Sequence, residues 1–507
     1  MQGARTIYGD LIGWNAHETP TAMGNYVILS VETREAAALC AQNDDQRSRG
    51  TPSHWLSYIS VTDAAAVAAK AQSLSRQLLM GPFDSGSGGP GRLSWAMPLP
   101  SQPPDPGAPP AEVALCLELG QAFQAFGVPA HRFEDALARI AARLGTEGQF
   151  FALPTAFFAS LGMGGRRWTF IQRSPSGDVD LAKLCDLQET TDQVIAGRLT
   201  ALGARDQVRA ILAAPERWSA PLTVLCFGLG SAPAATFFGG GWREMLLTAL
   251  LGSLVGLLAV LLGRRPGLAR LVHPIAGTLV GFLALAAAAR FPQVSPQVLT
   301  LAGLIVLLPG LRLVVSMNEL ATGNLVAGTA RLVDTAMTFL SLGFGVALGQ
   351  RLAAPLLDRA LQGAPLPLPA WTLLPTLLLA ATAFVVIFKA RLRDLPWIFA
   401  ACVLAFYGTR QGAALLGPQF GVGLGAFVLG LGSNLYTRLT RRPSVVTLLP
   451  GLMVLVPGGL GFKGLEFIIQ KQVVMGLDTA FQALFVAIAL LTGLLLAHAV
   501  VQPRTAL

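Results

Sequence analysis

The chain has 507 residues, 53% of them hydrophobic and only 13% charged, with 55 glycines and a mean hydropathy of +0.56. A soluble protein keeps about a quarter of its residues charged, so a wholly soluble chain is excluded. The net charge of +9 does not point to nucleic acid, because the arginines form no basic patch interleaved with aromatics and cluster instead in short loops between apolar runs.

Up to about Trp218 the text is mixed in charge; from Ser219 onward one apolar run follows another. The N-terminus has no apolar signal-peptide core, so residues 1–218 are expected in the cytoplasm. Five scattered cysteines (Cys40, Cys116, Cys185, Cys226, Cys402) contain no CxxC and no zinc spacing, which argues against a disulfide framework. Residues 1–92 hold strand-like and helix-like patches, YVILSV and DAAAVAAKAQSL among them. The stretch DSGSGGPGRLSWAMPLPSQPPDPGAPP, whose core is residues 93–110, is dense in Gly, Pro and Ser and reads as a linker.

Residues 111–218 read as a compact α+β domain. AEVALCLELGQAFQAFG and HRFEDALARIAARLG have helical spacing and stop at Gly127 and Gly145. GQFFALPTAFFASL and RRWTFIQR read as strands, and DVDLAKLCDLQETTDQVIAG as a helix capped by an Asp.

Ten apolar segments follow, near the length a bilayer demands. They cover roughly 219–238, 245–263, 271–289, 296–316, 325–349, 370–388, 395–410, 417–436, 443–461 and 475–501. The loops RRPGLAR, KARLRD and TRLTRRP carry three basic residues each, and GGGWRE and RFPQVSPQ one each, so the positive-inside rule puts both termini in the cytoplasm. An external loop, 353–369, divides the ten into halves, 219–352 and 370–507.

The halves share text. Pro296-x-Val-x-Thr300 precedes VLLPG ending at Gly310, and Pro443-x-Val-x-Thr447 precedes VLVPG ending at Gly458; VDTA (333–336) answers LDTA (477–480). A second register aligns LLPGL at 307–311 with LLPGL at 448–452. With five segments per half the second copy enters the membrane in the opposite sense, the arrangement of inverted-repeat transporters. The expected fold is therefore a polytopic α-helical membrane protein, ten transmembrane helices as two five-helix inverted repeats, with an N-terminal cytoplasmic α+β domain.

Proline in a helix removes a backbone hydrogen bond, and freed carbonyls survive in lipid only beside protein or a water-filled cavity. Pro309-Gly310, Pro450-Gly451 and Pro457-Gly458 are the candidates for cavity-lining backbone; simple packing kinks are the alternative. Intramembrane ionisable residues are few: Arg312, Arg331, Asp334, Asp478, His273 and His498. The expectation is that Asp334 and Asp478 are repeat-equivalent proton carriers and that Arg331 pairs with Asp334 at i, i+3. SMNELATGNLVAGTARLVDT reads as a polar loop offering Asn318, Glu319, Thr322, Gly323, Asn324 and Gly328 to a substrate or a gate. No GxSxG, Walker A or HExxH is present, so neither catalysis nor ATP drive is expected, and no cofactor is called for.

The ordered set LCLELGQAFQAFGVPAHRFEDALARIAARLG, FFALPTAFFASL, FFGGGWREMLLTALLGSLVGLL, LLPGLRLVVSMNELATGNLVAGTARL and LLPGLMVLVPGGLGFKGL, spanning about 111–501, resembles the threonine/serine exporter family. The resemblance implies a cytoplasmic N-terminal domain, ten membrane helices and proton-driven export of small polar amino acids. Some relatives are linked to dicarboxylates, which leaves a succinate-like substrate as the alternative; a membrane-anchored enzyme is the alternative of another class. The implied partners are the bilayer, a small polar amino acid and protons in a bacterial plasma membrane, with homo-oligomerisation left open. Arg243-Glu244 after GGGW, Glu319 and Asn324 depart mildly from the family pattern.

Residues 7–92, through YGDLIGWNAHETPTAMGNYVILSV, GTPSHWLSYISVTDAAAVAAKAQSL and LLMGPFD, resemble the glyoxalase/bleomycin-resistance (vicinal oxygen chelate) superfamily, whose members build a βαβββ module. The copy is truncated before its last strands, so no metal ligands are assigned, although His54 is the first residue to examine. One expectation is a fusion remnant or a mis-set start, with Met97 beginning the functional exporter.

Overall fold

The computed structural model describes residues 15–21, 24–31, 34–40, 109–173, 177, 179–356, 366–455 and 458–502. Two units divide the chain, Met1–Ala108 and Pro109–Leu507. In the first, β1 (Asn15–Thr21), β2 (Gly24–Val31) and β3 (Arg34–Cys40) form an antiparallel meander. The other residues of 1–92, where a glyoxalase-like module was expected, His54 included, and residues 93–108 of the expected linker lie outside the described residues.

The second unit opens with α1 (Ala111–Ala125), α2 (Ala130–Arg143), the antiparallel sheet β4 (Glu147–Leu153), β5 (Ala156–Met163), β6 (Arg166–Arg173), then α3 (Leu181–Ile195) and α4 (Ala201–Ala213). Gly127 and Gly145 stop α1 and α2 with φ of +74° and +71°, the left-handed conformation glycine adopts without cost. The Asp180 carboxylate accepts from the Lys183 amide at 2.9 Å and starts α3. Phe157, Ala159 and Leu161 alternate inward on β5 against α1 and α2, with Phe133 meeting Phe157 edge-on at 5.2 Å.

The first membrane half comprises α5 (Ala220–Phe237), α6 (Trp242–Gly263), the short α7 (Pro266–Ala269), α8 (Val272–Arg290), α9 (Pro296–Leu304), α10 (Gly310–Ala321) and α11 (Leu325–Ala353). The second comprises α12 (Leu373–Ile387), α13 (Leu395–Leu416), α14 (Pro418–Thr440), α15 (Val445–Leu455), α16 (Gly458–Ile469) and α17 (Val473–Val500). Among the described residues nine helical spans are long and apolar enough to cross a membrane, one of them, Val445–Ile469, taking in both α15 and α16. The fourth segment is not among them because it is broken into α9 and α10.

The halves pack alike. α5 on α6, α8 on α11, α9 on α6 and α8, and α10 on α11 are matched by α12 on α13, α14 on α17, α15 on α13 and α14, and α16 on α17. Small residues set these contacts: a Cβ on Gly345 would fall 2.3 Å from the Pro274 carbonyl oxygen, and one on Gly493 2.1 Å from that of Gly423. Counted from the starts of α11 and α17, Gly345 and Gly493 are the same position. Five passes per half make the repeats antiparallel.

The α+β domain is seated on the membrane helices. Ala327 of α11 lies in its core, the Leu181 amide donates to the Phe388 carbonyl at 3.0 Å, Asp186 pairs with Arg391, and Trp218 Nε1 donates to the Ala390 carbonyl at 3.3 Å. The membrane ends that carry it are called the domain side below.

Candidate functional site

Of the breaks expected at Pro309-Gly310 and Pro457-Gly458, the first is in place: α9 ends at Leu304 and α10 starts at Gly310. The second falls on residues 456–457, between α15 and α16, which lie outside the described residues. Gly458 meets the first break, since a Cβ on it would sit 3.4 Å from the Gly310 Cα. Gly310 and Gly458, matched in the first sequence register, thus face each other. Pro450-Gly451 is a correction, since both residues are buried inside the continuous helix α15. A Cβ on Gly451 would fall 2.4 Å from Leu429 Cδ1, so this pair serves close helix packing and leaves no gap.

The expected polar loop is a second correction. Ala, Leu and Arg favour helix, so Asn318 and Glu319 lie in α10, Gly328 lies in α11 against Leu320, and only Thr322, Gly323 (φ +85°) and Asn324 form the turn. Arg331 does not pair with Asp334. Its Nε donates to Glu319 Oε2 at 3.0 Å and an Nη to Oε1 at 3.2 Å, while Arg312 donates to Asp334 at 3.2 Å. Glu319 is fully buried and also accepts the Ala130 amide at 3.1 Å, so it caps the first turn of α2. The buried carboxylate thereby ties the first half to the α+β domain.

The same turn reaches the second half. Arg132 donates to Ser444 Oγ at 3.5 Å and lies 3.3 Å from His498 Nε2, whose Nδ1 lies 2.8 Å from the Leu494 carbonyl. Beside it, burial first, then Arg132 and His498, push the His131 imidazole down to about 4. The unfolded chain, titrating near 6.5, takes up the proton before the folded one does. Stability from His131 is therefore present above pH 6.5 and lost as pH falls towards 4, by up to about 3 kcal/mol. His131→Gln should flatten this part of the melting temperature against pH, measured on the detergent-purified chain.

The aspartates are not repeat-equivalent. α10 and α16 open at Gly310 and Gly458, the following turns hold left-handed Gly323 and Lys471, and α11 and α17 open at Leu325 and Val473. Counting onward, Gln482 answers Asp334, and Asp478 falls opposite Ala330. The VDTA and LDTA match is one helical turn out of structural register. Gln482 Nε2 donates to Asp478 Oδ2 at 2.8 Å, which keeps Asp478 beside the true counterpart.

Between the halves lies a cavity of ≈ 340 Å³, within the range of small-molecule sites. Its walls include Gly230 and Ala234 of α5, Ala380 and Phe384 of α12, Ile305 and Val306 at the break after α9, and Met453 and Val454 of α15. It extends towards Gln419, Leu460 and Gln482 on the side away from the domain. Among the described residues no charged side chain lines it, and none of the residues 318–328 reaches it. Gln419 and Gln482 carry no charge, so nothing in the sequence sets them apart from other polar residues near the ends of apolar segments. Glu244 was noted only as a departure, yet it is buried and accepts the Gly241 amide at 3.0 Å and the Ser295 amide at 3.3 Å, fixing the start of α9.

The family model described as "Putative threonine/serine exporter" matches residues 114–353, and that described as "Threonine/Serine exporter, ThrE" matches 375–500. The chain belongs to the threonine/serine exporter family. Each family model covers one of the two halves. Among curated proteins the chain is similar to "Pheromone-regulated membrane protein 10" of Pichia sorbitophila, 27% identical over 71% of this chain and 37% of the relative. The proteins of that name from Eremothecium gossypii and Saccharomyces cerevisiae are 27% and 26% identical, over 68% and 72% of this chain and 48% and 47% of theirs. The matched part spans a third to a half of these relatives. No solved structure matches the chain.

Proposed function

We propose that the protein is a secondary transporter that exports small polar amino acids of the threonine/serine kind across a bacterial plasma membrane, driven by the proton motive force. The observation that carries the reading is the uncharged cavity. Arg312 stands against Asp334 and Arg331 against Glu319, and among the described residues no charged side chain lines the cavity between the halves. Such a lining favours a solute of zero net charge, as a zwitterion is, over a dicarboxylate. The duplicated five-helix halves support transport over a membrane-anchored enzyme, because an anchor needs no inverted duplication. Basic loops on the domain side support cytoplasmic termini. Asp334 and Asp478 are the carboxylates proposed to carry protons.

The test is flux into inverted vesicles of labelled threonine, serine and succinate under an imposed pH gradient. Threonine and serine should accumulate and the uncoupled control should not, with succinate at background. Absence of gradient-dependent flux of all three would overturn the reading.

A further inference from the structure

The cavity straddles the pseudo-two-fold axis that exchanges the halves. Ile305 and Val306 are the counterparts of Met453 and Val454, counted back from Gly310 and Gly458, and all four line it. Three further lining residues do not map onto the cavity itself. Leu460 is the third residue of α16 and Gln482 the tenth of α17, and Val422 of α14 stands one residue before Gly423, whose carbonyl meets Gly493. The same positions of α10 and α11 are Arg312 and Asp334, and the residue before Pro274, whose carbonyl meets Gly345 in the same way, is His273. These three also come together: Arg312 is bonded to Asp334 at 3.2 Å, and His273 is within electrostatic reach of both.

The second cluster lies towards the domain side, since α11 starts there with Ala327 in the domain's core. Asp334 stands nine residues past the start of the 29-residue α11, about 13 Å along the helix. The side chains of Arg312 and Asp334 are 52% and 63% uncovered by protein. Charges within membrane helices belong beside a partner or an aqueous path.

We infer that Arg312, Asp334 and His273 form the domain-side binding station of the transport path, the charged counterpart of the neutral station at Val422, Leu460 and Gln482, and that it takes a zwitterionic α-amino acid. The inference rests on the transport reading above. Asp334 receives the ammonium group and Arg312 the carboxylate, each giving up its contact with the other; His273 adds a ring nitrogen to the polar wall. When the halves exchange conformations the substrate passes to a station with amides alone, where it is held less tightly. Binding is therefore stronger on the domain side, as suits release on the other.

The first measurement is entry of labelled L-threonine from each side of vesicles of defined orientation. Arg312→Gln and Asp334→Asn should each raise KM from the domain side by about 10-fold or more, the loss of one charge-assisted hydrogen bond, and leave the far-side KM within about 2-fold; Gln482→Ala should do the reverse. Equal changes on both sides, or none, would overturn the inference, as would transport of succinate in place of threonine. A second measurement does not need flux. His273→Cys should react with a membrane-impermeant maleimide from the domain side, above the background set by the unmodified chain, and L-threonine but not succinate should slow the reaction. Failure to label from that side, or labelling indifferent to L-threonine, also overturns it. Protected labelling without gradient-dependent flux would uphold the station while removing the proposed energy coupling.

Discussion

Replacing Glu319 with alanine should cost the folded chain about 3–5 kcal/mol, the usual penalty for breaking a buried ion pair on one side. The carboxylate is fully buried and receives three N–H groups, one from Ala130 and two from Arg331. Its loss strands a mostly buried guanidinium, 17% exposed, and the first amide of α2. Glu319→Gln keeps an acceptor and should lose less. The double change Glu319→Leu with Arg331→Met removes both charges and should recover much of the loss. Thermal unfolding in detergent reads the ranking, and limited trypsin digestion at Arg217, in the segment joining domain and membrane helices, reads undocking. A melting temperature unchanged in the single alanine variant would show that the pair does not hold the domain.

Gly345→Leu and Gly493→Leu should each abolish accumulation of folded protein. Overpacking a core costs about 1–3 kcal/mol when side chains can shift, but here the first added carbon would meet backbone at 2.3 Å and 2.1 Å. The helices α8 and α11, or α14 and α17, would have to part along their length. Gly263→Leu is the control, because nothing lies within 4 Å of a Cβ there. Fluorescence-detected gel filtration of the three variants tests this; similar peaks for all would mean that the close approaches do not govern assembly.

The division into apolar segments and the break at Pro309-Gly310 were legible because both follow from local composition: lipid demands apolar length, and proline withdraws a donor. The register of the repeat beyond the break was less so. In the first half the left-handed residues after α5 and α10 are Gly239 and Gly323; in the second they are Lys389 and Lys471. A lysine in that conformation carries strain of about 1 kcal/mol but leaves no mark in the text, and LDTA then drew Asp478 one turn out of place. Pro450 misled in the other direction, since a helix packed on all sides keeps its course across one missing hydrogen bond. The partner of Glu319 is a backbone amide 189 positions away, and no side-chain pattern announces such an acceptor. The cavity's amides were missed because uncharged residues among apolar ones carry no periodic signal.

The first turn of α2 grips Glu319 of one half through Ala130 and Ser444 and His498 of the other through Arg132. The two grips are two residues apart on a rigid helix, about 3 Å along its axis. A strut of that length neither stretches nor bends. Any motion that draws the domain-side ends of the halves apart by more than a hydrogen bond's reach must therefore release one grip or carry the whole domain with the half that keeps hold, so the domain moves as a counted part in each cycle.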